Sequence, residues 1–470
     1  MKNILKTLFG GIFRRSLSLT FAYDDSLKAY SVSGYCGKGS KAIIPDTYDD
    51  GINGKHSVTK IDDHAFRHCV SLKSVTVPDS VTVIGWNAFS SCTALTDIVL
   101  SDNVSGIDSG AFEYTLWYSA QPDGAVYLGK VLLGYKGTMP DNAEIIVKNG
   151  TKCIADRAFL NSSSLTDITI PDSVTSIGSS AFENCSSLKN LVLPDGVSRI
   201  DDKTFSDCSS LTSIIIPDGL TSIGRSAFEN CSSLKNIILP DSVSSIDSRA
   251  FCGCSSLTSI KVPKGVTSVE SCLFSGCSSL TKITLSDGVT DIGNSAFSDC
   301  YSLTEINIPD GVKRIGNAAF YGCSSLHNIN IPDGVTLIDG SAFHGCASLS
   351  CIKIPESVSK IGLRAFSGCS SLASINIPDG VTEIEWGTFS DCVSLKDITI
   401  PDGVKSIGRS AFSGCSSLTS VTLPDSVSRI DGKAFFGCSS LTSINIPDGI
   451  EIGSSAFEDC SSLPNMIGSR

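Results

Sequence analysis

Leu211-Thr-Ser-Ile-Ile-Ile-Pro-Asp-Gly-Leu-Thr-Ser-Ile-Gly-Arg-Ser-Ala-Phe-Glu-Asn-Cys231-Ser-Ser is one copy of a block of about 23 residues, and the next copy begins at Leu234. The Phe of the block recurs at 66, 89, 112, 159, 182, 205, 228, 251, 274, 297, 320, 343, 366, 389, 412, 435 and 457, which makes seventeen turns with nearly all steps equal. A fixed period of this size predicts a solenoid, in which each copy buries its apolar side only against its neighbours. Such a stack grows by adding turns, so a chain of 470 residues need not divide into several separate cores.

Within a copy, apolar residues alternate around an outward residue, as in Ile306-Asn307-Ile308. Period two with β-branched residues reads as a short strand. Pro309-Asp310-Gly311 then turns the chain. Val312 and Ile315 are spaced for a second short apolar segment, and Ala319-Phe320 and Cys323 turn inward. Small residues such as Ser226, Ser232 and Ser233 keep the return compact, read as 3₁₀ or one helical turn. Stacking is expected to align the outward positions in one column of a parallel sheet.

Composition sets the outer limits. The chain is 41% hydrophobic and 18% charged, which suits a packed interior. Its net charge of −12 disfavours polyanions held through bulk charge, so nucleic acid is not expected as a partner. No apolar run of 18 residues occurs, so no transmembrane helix is expected. Fifteen of the twenty cysteines occupy one repeat slot, from Cys69 and Cys92 to Cys438 and Cys460. That regularity predicts an interior column of reduced, buried thiols, because a disulfide framework shows irregular spacings in a short chain. Cys36, Cys153, Cys252, Cys272 and Cys351 fall off the ladder, and spacing alone does not decide whether Cys252 and Cys272 pair.

The start of the chain has three readings. Ile4, Leu5, Leu8, Phe9, Ile12 and Phe13 share one helical face, which suits a basic amphipathic helix on a membrane surface over residues 1–15. Ser16–Phe21 followed by Ala22 is a very short export-signal core with a small-residue cleavage site. A disordered leader is the third. At the other end no polar capping repeat is read after Leu463, so the chain is read either as a natural truncation or as continuing to pair at its open end.

The strand pattern Leu-x-x-Ile-x-Ile resembles leucine-rich repeats. Its continuation, Pro-Asp-Gly/Ser-Val-x-x-Ile-Gly-x-x-Ala-Phe-x-x-Cys-x-Ser-Leu, resembles the BspA-like leucine-rich repeat family over about residues 43–463. It lacks the Asn that follows the strand in the commoner leucine-rich pattern. The resemblance implies surface or secreted proteins of host-associated bacteria and protozoan parasites, several of them adhesins for host matrix proteins or other cells. Residues 23–60 resemble that family's N-terminal cap.

Irregularities mark the candidate sites. Phe112 and Phe159 are 47 residues apart, and the extra segment at about 116–143 carries Trp117, Tyr118, Tyr127 and Tyr135 around a hairpin turn at Gly129-Lys130. Its aromatics suit a binding spot, or else the hairpin only packs on the solenoid flank. In the outward strand column, Val192, Ile215 and Ile238 are apolar in three consecutive turns, flanked by Lys189, Asn190, Lys235 and Asn236. An apolar patch rimmed by polar groups is a partner-site signal, while β-propensity on a solvated strand is the plain alternative. The polar run from Asn307 to Asn445 suits peptide or glycan contact. The aspartates after the strand prolines read as turn formers, since calcium needs six to eight oxygens. His64 and His68 have i,i+4 spacing beside Cys69, but no fourth zinc ligand is evident. No catalytic or phosphate-binding motif appears in context.

The expectation is therefore a mostly β, right-handed leucine-rich repeat solenoid of α/β type, with about 17 turns of 23 residues and a parallel sheet on one face. Residues 1–22 are assigned to a leader or amphipathic segment, 23–60 to a cap and 61–470 to the solenoid. The expected role is a non-enzymatic adhesion or protein-binding scaffold at the cell surface or secreted, without cofactor or metal. Its partner would be an extracellular matrix or cell-surface protein or a glycan, with membrane association only through residues 1–15. An intracellular interaction scaffold is the alternative, and a hydrolase using the insertion the remote one.

Overall fold

A computed structural model describes residues 19–464 of the chain. It forms two compact units. The first takes in the chain up to Gly137 together with Lys152–Asp156, and the second comprises Thr138–Thr151 and the chain from Arg157 onward. The amphipathic reading of residues 1–15 lies outside the described residues.

The first unit opens with an antiparallel hairpin, Leu19–Asp24 on Ala29–Tyr35. Leu19–Ala22, read from the sequence as leader, are thus four of the six residues of its first strand. Ala29–Tyr35 then runs parallel to Lys55–Ile61, which itself pairs antiparallel with Thr47–Asp49. Tyr30 is buried at this end, its hydroxyl donating to the Gly54 carbonyl at 3.2 Å, and Tyr35 stacks on Phe66 at 5.2 Å. The end of the Phe column is thereby covered. Two parallel ladders follow: Lys41–Ile43, Ser74–Thr76 and Asp97–Val99, and Lys55–Ile61, Val83–Ile84 and Gly106–Ile107.

The inserted segment forms a short helix, Leu116–Ser119, and an antiparallel hairpin, Gly124–Leu128 on Val131–Lys136. Thr115 occupies the cysteine slot of its turn and caps the helix, its hydroxyl accepting from the Tyr118 N–H at 3.0 Å. The hairpin turns at Gly129, which has φ 59°. Its second strand pairs parallel with Cys153–Ile154, so it serves as a rung of the unit rather than an external flap.

The second unit repeats one design fourteen times, counting its Phe residues from Phe159 to Phe457. Nearly every turn holds two short strands, such as Ser213–Ile215 and Ser222–Ile223. The expected single column of parallel sheet is broken into short ladders, such as Asn190–Val192 with Ser213–Ile215 and Ser259–Lys261 with Lys282–Thr284. The second apolar segment makes the longer ladders, up to five strands between Ser268–Val269 and Lys360–Ile361.

The return is neither 3₁₀ nor helical; Leu116–Ser119 is the only helix among the described residues. Its hydrogen bonds alternate. The N–H groups of Ser226, Phe228 and Asn230 donate to the carbonyls of Ser248, Ala250 and Cys252 in the next turn. Those of Ala227, Glu229 and Cys231 bond three residues back, to Gly224, Ser226 and Phe228. A helix would claim every N–H for its own turn, so bonding to the neighbouring turn excludes it. The alternation puts Ser226 and Asn230 at φ 56° and 58°.

The interior is a set of stacked columns. Thirteen successive ring pairs from Phe159 to Phe457 lie 5.2–5.8 Å apart with planes 2–18° from parallel, an offset stack. Fourteen of the ladder cysteines, all but half-buried Cys69, are buried, and each Sγ donates to the Phe carbonyl of the turn before at 2.9–3.2 Å. The ladder cysteines carry free thiols, and so do Cys252, Cys272 and Cys351.

Two tests follow from this packing. Phe320→Ala should cost about 3–5 kcal/mol in denaturant unfolding, with Phe320→Leu far milder, because both neighbouring rings lose their partner. Burial pushes the thiols of Cys185, Cys323, Cys369 and Cys415 up to about 12, against an ordinary value of 9.0. An unfolded chain ionises these thiols first, so their contribution to stability is intact below pH 9 and falls as pH rises towards 12. The slope is roughly 1.4 kcal/mol per thiol per pH unit. Melting should therefore drop steeply above pH 9, and a thiol reagent should reach the column only in denaturant. Rapid native-state reaction of most ladder thiols would contradict the interior assignment.

Candidate functional site

The outward residue of each first strand is the natural place for contact, since its neighbours on either side are buried or half-buried. In the second unit Val192, Ile215 and Ile238 are 59%, 61% and 86% exposed. Val192 and Ile215 are direct partners in the parallel register. Side chains so related stand about one strand spacing apart, ~4.8 Å, and form a continuous apolar strip. At Ile238 the strand shrinks to an isolated bridge between Asn236 and Ser259. Ile238 borders a cavity of about 720 Å³ shared with Asn236, Asp241, Lys261 and Lys282.

The polar residues flanking the strip divide into two kinds. Lys189 and Lys235 are exposed. Asn190 is engaged by the fold, its Oδ1 accepting from the hydroxyls of Ser213 at 2.7 Å and Thr212 at 3.1 Å. Asn236 likewise accepts from Thr258 at 3.3 Å. Ile146, in the same outward column, is 81% exposed and pairs in register with Thr169. It was legible as an apolar outward residue but falls outside the run of three consecutive turns.

Further along, the polar run is less available than its composition implies. At some turns the strand-end N–H donates to a backbone carbonyl of the next turn, as from Leu193 to Ile215 at 3.1 Å and from Val262 to Thr284 at 2.9 Å. At two turns an asparagine side chain replaces that carbonyl. Asn376 accepts from the Ile354 N–H at 2.8 Å and donates to the Ile354 carbonyl at 2.7 Å. Asn445 does the same to Leu423, at 2.7 and 2.8 Å. These amides close the ladder where its backbone lapses. A cavity of about 750 Å³ lies beside Asn376, with Asn330, Cys351 and Lys353 on its lining.

The aromatic candidates of the insertion belong to the first unit. Trp117 is half-buried and meets Phe112 edge-on at 6.1 Å, while its backbone N–H donates to the Leu95 carbonyl at 2.7 Å. Its ring extends the interior Phe column. Tyr118 is also half-buried, and burial raises its hydroxyl above the usual range. His64 and His68 sit in turns at φ 60° and 62° rather than one helix turn apart, and His64 packs edge-on against Trp86 at 4.6 Å. Among the described residues no helix is long and apolar enough to cross a membrane.

The repeat matches a known family pattern. The pattern of the BspA type leucine rich repeat region (6 copies) matches residues 50–121, 139–258, 244–372 and 336–464. Among solved structures, the chain is similar to a leucine-rich repeat protein from Bacteroides ovatus ATCC 8483, with 25% identity over 97% of this chain and 93% of that one, at TM-score 0.42. It is similar to a leucine rich cell surface protein from Faecalibacterium prausnitzii A2-165, with 26% identity over 97% and 94% of the two chains, at TM-score 0.32. Likeness to the pneumococcal vaccine antigen PcpA is 16% identity over 95% and 99%, at TM-score 0.29. No curated protein matches the chain. The repeat pattern takes in well over half of the residues, and the chain belongs to the BspA-type leucine-rich repeat family.

Proposed function

We propose that the chain is a non-enzymatic adhesion scaffold, secreted or at a cell surface, which captures a matrix or cell-surface protein through the apolar strip Val192, Ile215 and Ile238. The observation that carries this reading is the exposure of all three residues in consecutive turns of a chain whose other large aliphatics are mostly interior. Covering one such side chain is worth roughly 1.5–3 kcal/mol, far more than a solvated Thr or Asn in the same column returns. Exposed Lys189 and Lys235 rim the strip and steer an acidic partner. Membership of the family supports the surface setting, and labelling of intact source cells with antibody against the solenoid tests it.

Replacing Ile215 and Ile238 together by Thr should leave melting unchanged, because Thr169 and Thr284 hold the same column. Capture of matrix and cell-surface proteins on a sensor chip should fall by roughly tenfold or more. Undiminished capture by the folded double variant would move the contact to the Asn307–Asn445 stretch.

A further inference from the structure

Cations on the returning segments of the second unit are neutralised at several turns. Lys203 meets Glu183 at 3.6 Å, Arg225 meets Asp202 at 3.2 Å and Arg249 meets Glu229 at 3.6 Å, each across one turn. Arg364, Arg409 and Lys433 depart from that pattern. None of them has a carboxylate oxygen within 4.0 Å among the described residues. All three are exposed and line one cavity of about 420 Å³ together with Trp386.

The geometry of that cavity is ordered. The Arg364 guanidinium carbon stands 4.2 Å from the centre of the Trp386 ring, and the Lys433 ammonium lies 5.5 Å from that of Phe436. Cation–π contact holds both side chains without neutralising them. Ser390, Ser410 and Ser413 supply hydroxyls on the lining, and Asp391 is its one carboxylate. The Asp391 Oδ1 is turned towards Gly414, where an added Cβ would stand 2.5 Å from it. Three positive groups thus face one negative group in a chain of net charge −12.

We propose that the groove formed by Arg364, Trp386, Arg409 and Lys433 binds an acidic saccharide bearing sulfate or carboxylate groups. Guanidinium forks match the paired oxygens of those groups, and an indole accepts the C–H face of a sugar ring. The serine hydroxyls complement sugar hydroxyls, and the volume suits a small ligand. The groove lies on the returning segments, away from the outward strand column, so it is independent of the protein-binding reading.

Calorimetric titration tests it with four probes at low salt: a heparin hexasaccharide, its desulfated counterpart, a galacturonate hexamer and oligo-glutamate. The sulfated or the carboxylated sugar should bind saturably and weaken with added salt, and which of the two binds identifies the acidic group. Oligo-glutamate should not bind comparably, and the desulfated heparin, which keeps its uronate carboxylates, should bind only where carboxylate is the group recognised. Arg409→Ser with Lys433→Ser should weaken binding at least about tenfold. Serine holds those repeat positions at Ser271 and Ser410, so the fold is expected to persist. Trp386→Leu, with Leu363 in the same column, is a second variant that should also weaken binding. Lys189→Ser with Lys235→Ser should not change it. Absence of saturable saccharide binding, indifference to both groove variants, or equal binding of oligo-glutamate would overturn the proposal.

Discussion

The alternating hydrogen bonds of the returning segment are the constraint from which the rest of the structure follows. Every second N–H, such as those of Ser226, Phe228 and Asn230, is committed to the next turn. The intervening ones close tight bonds three residues back. This pattern places Phe at a fixed height in each turn, so the rings must stack on one another. It also leaves each Phe carbonyl with spare acceptor capacity, which the thiol of the following turn fills, as Cys231 does on Phe205 at 3.1 Å. A cysteine is small enough to be enclosed at this place and still carries a donor. The same alternation demands a left-handed residue just before each cysteine. From Asn161 to Asp459 that position is always Asn, Asp or Gly, with φ between 58° and 76°. These are the residues that tolerate αL at least cost.

Much of this was legible in the sequence. The period, the two short strands, the inward Phe and the cysteine column all follow from one apolar pattern repeated at constant spacing, and repetition removes the ambiguity a single copy would carry. The returning segment was misread because Ser, Ala and Asn in a short run suit a helical turn as well as a series of bends. The Asn, Asp or Gly before Cys231 and its equivalents held the deciding information, since an αL requirement explains that choice and a helix does not. Splitting of the strand ladder was not legible. The asparagines show why: Asn307 pairs in register with Asn330 while the Asn376 amide bonds the Ile354 backbone, and the two look alike in sequence.

The candidate contact residues were legible to different degrees. Val192, Ile215 and Ile238 stood out because alternation fixes their direction, and a residue between two inward-facing neighbours must face out. Trp117 did not yield to the same reasoning, because an insertion has no repeat register to orient it, and its ring completes the interior beside Phe112. The cationic groove escaped notice for a related reason. Arg364, Trp386, Arg409 and Lys433 are far apart in sequence and occupy two repeat positions that vary from turn to turn, so only the stacking of turns gathers them. An array of this kind keeps its interior columns almost invariant and leaves the outward columns free to vary, which is how one architecture presents apolar, polar and charged surfaces along its length.

Hydrogen exchange read by mass spectrometry over peptides spanning residues 224–234 tests the central constraint most directly. The account expects the amides of Ser226, Phe228 and Asn230 to exchange as slowly as those of the Ser222–Ile223 strand, because both sets are bonded across turns. Rapid exchange in the returning segment, with the strands still protected, would contradict it and would make the Phe and Cys columns a consequence of the strands alone.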